Sequence, residues 1–582
     1  MTTEPARAEA PAPATEQPDP RRWLGLGVVL IAAFMLLIDI SIVNVAIPSI
    51  QRDLHASFSQ VQWVLAGYQL AFAVVLITGG RLGDVFGRKR LFLIGVAGFT
   101  AASALCGFAQ NPAMLVGSRF FQGLMGALLF PQVLSIIQVT FPPRERPAAF
   151  GIVGATIGLA TISGPLAGGL LIKGNLLGLD WRPIFLVNLP IGVIAVVAAV
   201  ALLRESRAED APRLDPVGVA LATAALLALV YPLVEGRDLD WPVWIFLLLA
   251  ASLPLFAVFA AYERHKTRKD GSPLLVLELF RERAFVTGLL LTVVFFSGIA
   301  AFFLIFSLFL QIGLGFTALH AGLTTIPFSF GSAAASAAST RLAPRLGRRI
   351  LSLGCLLLVA GMAGVMLTVS RAGTALHSWQ LIPALLLCGL GLGCVVAPLV
   401  NVILAGIHGR HAGSASGALT TIQQVGGAIG VAIIGVIFFG LLASQATPAA
   451  DQVAPGLRAG LARAGLPAPA ADRVVAGFRV CFHDRASAKD PSSTPASCQR
   501  LLAEAQGGQG QGGPAGSAPS QQAQVGGLLQ AGATSARERD FSSSLQRTLW
   551  YEVGVYALSF LLVFLLPAVR GGELRRGGPA VT

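Results

Sequence analysis

Gly80-Arg81-Leu82-Gly83-Asp84-Val85-Phe86-Gly87-Arg88-Lys89-Arg90 is a dense charged turn set between two long apolar stretches. A worn copy, Arg341-Leu342-Ala343-Pro344-Arg345-Leu346-Gly347-Arg348-Arg349, follows later in the chain. Arg81 pairs with Arg341, Leu82 with Leu342, Gly87 with Gly347 and Arg88 with Arg348, each 341 − 81 = 260 residues on. A basic turn that recurs between apolar stretches implies two related helical half-bundles, and half-bundles around a central cavity are the architecture of alternating access.

Composition agrees with a chain dissolved in lipid. Of 582 residues, 54% are hydrophobic and only 12% charged, where soluble domains carry about 25% charged residues. So few charges cannot cover a soluble surface of this size. The formal charge of +13 would suit nucleic-acid binding, but the positions of the basic residues give it another meaning. Four of the 6 Cys, namely Cys106, Cys355, Cys388 and Cys394, lie in apolar runs as small packing residues. No Cys or His spacing suggests a metal site.

A bilayer core takes about 20 apolar residues per helix. Such runs occur at 23–47, 60–79, 91–109, 113–139, 148–172, 184–203, 216–235, 242–262, 285–312, 320–340, 350–370, 379–404, 417–443 and 549–569. These fourteen candidate spans put both termini on one face. Most Lys and Arg fall on that face, including Lys89, Arg90, Arg144, Arg146, Arg204, Lys266, Arg348 and Arg349. Short loops on the other face carry only Arg52, Lys173, Arg182, Arg237 and Arg371. The positive-inside rule makes the termini cytoplasmic, so the basic balance is topogenic and no nucleic-acid partner is expected. Arg21-Arg22 before the first run imitates a twin-arginine signal, but no small-residue cleavage site follows, and that run reads as an uncleaved helix.

The repeated turn follows span 2 and, as its copy, span 10. Span 9 is then the partner of span 1, and spans 7 and 8 are an insert. Gly126 and Pro131 of span 4 match Gly393 and Pro398 of span 12, 393 − 126 = 267 residues on. The expected organisation is an all-α membrane protein: a disordered segment 1–22, a six-helix bundle 23–203, inserted helices and loops 204–284, a second six-helix bundle 285–569, and a cytoplasmic tail 570–582. Within the second bundle, 444–547 is rich in Ala, Gly, Gln and Pro, with a Gln-Gly run at 506–513. It is expected to be a mostly flexible extracytoplasmic loop. Cys481 and Cys498 in that loop face an oxidising compartment, which predicts a disulfide; two free thiols are the alternative.

Charge inside a bilayer is costly and therefore points to function. Two such groups stand well inside spans, Asp39 and Arg119. A buried carboxyl that loads and releases a proton is what proton coupling requires. Arg does not give up its proton, so Arg119 is expected to organise a network near span 1 rather than to carry the proton. The structural alternatives are an acid bridging neighbouring helices and an Arg snorkelling to a membrane face. In span 5, Gly154 and Gly158, then Gly164-Pro165 with Gly168 and Gly169, offer small faces for close helix approach and a point for a kink. Asn44, Gln122, Gln132, Gln423 and Gln424 add uncharged polar groups that either line a substrate path or bond between helices. Gly389, Gly391 and Gly393 sit in an apolar span without any βαβ context, so they read as packing rather than nucleotide binding. No phosphate-binding loop is present to couple ATP directly, and no nucleophile–base pair or cofactor motif supports an enzyme.

These segments resemble the major facilitator superfamily over nearly all of 23–443 and 549–569. Gly80–Arg90 is similar to its cytoplasmic signature, with Gly80, Arg81, Gly83, Asp84, Gly87, Arg88 and Lys89 as the conformational switch. Leu115–Gly126 resembles its helix 4 motif, and Gly154–Gly169 its antiporter motif. Asp39-Ile40-Ser41-Ile42-Val43-Asn44-Val45-Ala46-Ile47-Pro48 and Trp181-Arg182-Pro183-Ile184-Phe185-Leu186-Val187-Asn188-Leu189-Pro190 resemble signatures of its fourteen-spanner drug:proton antiporter branch. The resemblance implies two six-helix bundles plus two inserted helices, and a monomeric carrier that expels amphipathic small molecules in exchange for protons. No cofactor or metal is expected, and the high Ala, Gly, Pro and Arg usage is compatible with a high-GC bacterium, which hints at a bacterial inner membrane with its lipids. Carried over, Asp39 takes and releases the proton, Arg119 tunes it, and Asp84 meets the start of span 13 near Gly417. One departure is that span 10 lacks the acid some relatives carry, with His320 at its edge as a weak substitute. Two other cargoes fit the same scaffold: a nutrient taken up by proton symport, which the span 5 glycines disfavour, or a lipid or lipid conjugate.

Overall fold

The computed structural model describes residues 20–142, 144–208, 213–271, 273–275, 277–404, 412–488, 494–505 and 519–566. Of the segment 1–22 expected to be disordered, residues 1–19 lie outside them, as do the Gln-Gly run at 506–513 and the tail 570–582, while Arg22 already begins the first helix.

The first half comprises α1 (Arg22–Leu54), α2 (Phe58–Phe86), α3 (Arg88–Gly107), α4 (Pro112–Thr140), α5 (Arg146–Gly174), the single turn α6 (Pro183–Leu186) and α7 (Asn188–Leu202). The pair α8 (Pro216–Glu235) and α9 (Val243–Asp270) follows. Next come α10 (Arg283–Leu308), α11 (Ala318–Thr324), α12 (Ile326–Leu346), α13 (Arg349–Ala372), α14 (Ser378–Leu404) and α15 (Ala412–Arg463). The chain ends with α16 (Ala468–Ser487), α17 (Ala496–Ala505) and α18 (Pro519–Leu565). Among the described residues, 12 helices are long and apolar enough to cross a membrane. α5 and the broken pair α11–α12 occupy the other two apolar runs.

Local chemistry sets the boundaries. Ser57 starts α2 with a reciprocal cap: its Oγ accepts from the Gln60 amide while Gln60 Oε1 accepts from the Ser57 amide. Asn111 and Asp215 cap α4 and α8 through the amides of Met114 and Gly218, each just before a helix-opening proline. The twin basic turns break their helices in the same way. Gly87 and Gly347 both adopt positive φ, 110° and 56°, where a side chain would be strained.

The helix pairings recur between the halves. α2 and α3 pack on α4 as α12 and α13 pack on α14, and α1 on α5 as α10 on α15. α7 touches α1 and α3 as α18 touches α10 and α13. One core joins Val29, Phe92, Phe99 and Val133 within the first half. A larger one runs from Ile47 and Trp181 through Phe302 to Phe438 and Tyr556. α8 and α9 lie against each other, with α8 reaching α2 and α15.

The segment 444–547 departs from the flexible loop expected of it. α15 continues to Arg463, α16 and α17 fold beside it, and α18 begins at Pro519. Ala450, Ala454, Leu457 and Leu461 face Val474, Phe478, Leu501, Val525 and Leu529 in a separate small core. Low hydropathy concealed an amphipathic pattern: these α15 positions recur at helical spacing among Ala residues that favour helix. Cys481 of α16 and Cys498 of α17 are joined by a disulfide with an S–S distance of 2.02 Å.

Candidate functional site: a buried ion pair and an outer closure

Asp39 sits midway along α1, and both its oxygens are engaged. Arg119 Nη1 of α4 donates to Oδ2 at 2.6 Å. Gln122 Nε2 and Asn188 Nδ2 donate to Oδ1 at 3.0 and 3.1 Å. Both of those amides also donate to Ser103 Oγ of α3, at 2.7 and 3.1 Å. Arg119 further donates to the Val64 carbonyl and to Gln122 Oε1, and its guanidinium lies 4.2 Å from the Tyr68 ring centroid. Exposure is 0% for Asp39 and 1% for Arg119, so Arg119 does not snorkel. One α4 turn separates Arg119 from Gln122, which puts both on the α1 face. Burial without compensation would cost several kcal/mol per ion, roughly; five named partners provide the compensation.

The other polar candidates separate by role. Gln122 belongs to the ion-pair network. Gln132 is fully buried and donates to the Gly79 carbonyl at 2.8 Å, so it clamps α4 to α2 rather than lining a path. Gly83 lies against the same amide. Asn44 donates to the Ile40 carbonyl of its own helix at 3.3 Å, while its backbone carbonyl accepts from Ser307 Oγ of α10 at 2.6 Å. Gln423 and Gln424 are half-buried on α15. His320 stacks on Phe316 at 4.0 Å near the outer end of α11, away from the ion pair.

The glycines of α5 divide in two. Gly154 is exposed with open space around it, and the surroundings of Gly158 fall outside the described side chains. At the other end, Gly164 and Gly168 let α5 press on Ser41 and Ile42 of α1. A Cβ on Gly169 would sit 2.7 Å from Leu319 Cα, and Gly322 packs on the Pro165 carbonyl. Backbones of the two halves are therefore in contact at this end of α5. Gln311 Nε2 to the Val45 carbonyl at 2.9 Å and the Phe58–Phe439 pair at 3.9 Å close the same side. Asp53 beside them accepts from Trp181 Nε1 and Arg182 Nη1, at 2.9 and 2.8 Å.

At the opposite end of the helices, Asp84 Oδ1 accepts from Arg88 Nη2 at 2.8 Å, within its own turn instead of at the start of α15. Arg81 reaches the carbonyls of Arg213, Pro273 and Leu274 in the loops flanking α8 and α9. The Glu205 carboxylate caps α3 through the amides of Lys89 and Arg90, both at 3.1 Å; Gly80 lies 3.7 Å from Pro131 by the position a Cβ would take. In this arrangement the turn is held by the first half and the loops flanking α8 and α9. At the same face Arg22 hydrogen-bonds Glu145 and holds its carboxyl below the usual range.

Sequence reasoning missed two members of this network. Asn188 and Ser103 are single polar residues at a helix start and in an apolar run, and only the fold brings them to Asp39. Asp39 and Arg119 are also not the only buried charges within helices. Glu263 of α9 and Glu552 of α18 are both fully buried. Each stands a few residues inside an apolar run or beyond its end, where sequence places it at an interface.

Two bundles of paired helices, the first enclosing a buried ion pair, define a multispan membrane carrier. The sequence profile of the Major Facilitator Superfamily matches residues 29–431, and the chain belongs to that superfamily. It is 42% identical, over 94% of its length and 92% of the relative's, to a protein of Streptomyces coelicolor named a probable actinorhodin transporter. It is 36% identical to the tetracenomycin C resistance and export protein of Streptomyces glaucescens, over 72% of this chain and 76% of that one. Among solved structures, an inward-facing, occupied bacterial homologue of the human lysosomal transporter Spinster superposes with a TM-score of 0.58 at 17% identity, covering 94% of this chain and 97% of that chain. That likeness shows the fold alone.

Proposed function

We propose that this protein is a proton-coupled exporter of amphipathic small molecules of the antibiotic kind, working by alternating access in a bacterial cell membrane. Kinship with a probable actinorhodin transporter and a tetracenomycin C resistance and export protein supports the cargo class. In this reading the chain spans fourteen times with both termini cytoplasmic, α8 and α9 are inserted between six-helix halves, and the monomer is a carrier rather than an enzyme.

The observation that carries the coupling is the Asp39–Arg119 contact, sealed from solvent beside the outer closure. Protonating Asp39 from the outside weakens its hold on Arg119, Gln122 and Asn188 and lets α1 shift against α4 and α7. Releasing the proton inside restores the network. One charge moved across 100 mV is worth about 2.3 kcal/mol, enough to bias a two-state carrier by a factor of roughly 50. Asp84 and Arg81 act as the cytoplasmic latch, exchanging the contacts seen here for others when that side closes.

The test is transport by the purified chain in proteoliposomes with an imposed pH difference, using actinorhodin-like and tetracenomycin-like amphiphiles. Expected is uphill movement that collapses with an uncoupler. Uphill movement indifferent to both pH difference and voltage would overturn the reading.

A further inference from the structure

Glu552 of α18 is fully buried, and neither of its carboxylate oxygens has a hydrogen-bond partner. Tyr556, one turn on, is also fully buried with its hydroxyl unpartnered. Both point at Gly298 of α10: a Cβ there would stand 2.7 Å from Glu552 Oε2 and 2.8 Å from Tyr556 Oη. The missing side chain makes room for a carboxyl and a phenol at one spot. An unpaired, dry carboxylate is among the most unfavourable groups a helix bundle can hold.

The repeat says what this spot is. The 260-residue offset carries Asp39 to Ile299, next to Gly298. The 267-residue offset carries Gln122 to Gly389, next to Cys388, which lies near Tyr556. In the first half the pocket lies between α1 and α7, where Asp39 meets Asn188. In the second it lies between α10 and α18, where Gly298 meets Glu552. The acid has moved from the first helix of the half to the last. Its cation has gone: Arg119 maps to Leu386. The titratable groups around the pair are Tyr551 on the same helix, Cys355 of α13 and Cys388 of α14. α10 faces it with Ser297 and Gly298, and among the described residues no cation acts on Glu552.

We propose that Glu552 is a second proton-carrying site, placed in the second half by the internal repeat and holding its proton in this outer-closed form. When α10 and α18 part and water enters, the carboxyl O–H bond breaks; the electron pair stays on Glu552 and the proton passes to that water. Water from the opposite face returns it. The first half thus holds an acid locked to its cation, and the second an acid that must exchange a proton to change its charge. This inference rests on the proton-coupled reading above.

Infrared difference spectroscopy on the purified chain in lipid nanodiscs, titrated across neutral pH, tests it without needing transport. Wild type is expected to show the carbonyl stretch of a buried protonated carboxyl, and Glu552→Gln to lose it while Asp39→Asn keeps it. Glu552→Asp retains a carboxyl, so its band shifts rather than vanishes; it serves if the Gln variant fails to fold. In proteoliposomes, Glu552→Gln should move one proton fewer per cargo molecule. A band identical in wild type and Glu552→Gln, with export still driven by a pH difference, overturns the inference and leaves the proposed function standing. Wild-type export that ignores the pH difference overturns that function instead.

Discussion

Arg119 Nη1 lies 2.6 Å from Asp39 Oδ2, and neither side chain reaches solvent. Removing one partner leaves the other as a buried, uncompensated charge, at a cost of about 3–5 kcal/mol. Asp39→Asn should therefore abolish proton-driven export and also lower the midpoint of thermal unfolding in detergent. Arg119→Ala should do both as well. Wild-type uptake into inverted vesicles by Asp39→Asn would remove Asp39 from the coupling.

The contact between Gly322 and the Pro165 carbonyl gives a second prediction. Gly322→Val forces a side chain into the backbone of the other half. Overpacking costs about 1–3 kcal/mol, charged here against the outer-closed form only. Its population should fall roughly 5- to 150-fold relative to the outward-open form. Thiol labelling from outside at a cysteine placed at Asn44 should accelerate, and export should slow. Labelling at the wild-type rate would show that this contact does not close the outer side.

Asp84 and Arg88 are partly exposed, with side-chain exposures of 30% and 14%, and such pairs contribute about 0–1 kcal/mol. Asp84→Ala should leave the unfolding temperature almost unchanged while impairing transport several-fold. A matching loss of both would make the turn a scaffold rather than a latch.

Asp215 Oδ1 accepts from the Gly218 amide and the Tyr262 hydroxyl, at 3.0 and 2.9 Å, while Glu263 Oε2 accepts from the Leu275 amide at 3.0 Å. Loss of the helix cap in Asp215→Ala should cost about 0.5–2 kcal/mol. Glu263→Gln keeps an acceptor for Leu275 and removes a carboxylate facing another near Gly218, so its stability should equal or exceed that of wild type. Parallel thermal scans of the two variants separate the effects.

The disulfide between Cys481 and Cys498 spans 17 residues, and closing a loop of about that size is worth roughly 3 kcal/mol. The double variant Cys481→Ser, Cys498→Ser should become open to proteolysis between α16 and α17 while keeping its export rate. Unchanged protease resistance would show that the small outer core holds without the bond.

Much of the membrane region was legible because lipid imposes simple rules. Apolar runs marked the helices, and the twin turns marked the halves, since Gly87 and Gly347 need backbone angles that other residues resist. Asp39 and Arg119 stood out because charge is rare there. What failed did so for physical reasons. Ser103 and Asn188 are ordinary polar residues until three helices converge. Gln132 read as a candidate for a path, yet it bonds a carbonyl that a glycine leaves accessible. Glu552 sits so near the start of its run that linear position suggests water, whereas the long α18 carries it into the bundle. The 444–547 segment was hidden because alanine-rich amphipathic helices resemble low-complexity sequence in composition.

α15 is a single helix of 52 residues that runs from the second half into the disulfide-bonded cap. At ~1.5 Å per residue it is about 78 Å long, more than twice the ~30 Å thickness of the hydrocarbon layer. Pro448 and Pro455 each remove one backbone hydrogen bond near the cap, but the helix continues through both and can act as a lever. A tilt of ~10° about its midpoint, too small to see easily inside the bilayer, sweeps its far tip by roughly 7 Å. A fluorophore on the cap would register each stroke, and an antibody gripping the cap would brake the machine without touching the ion pair.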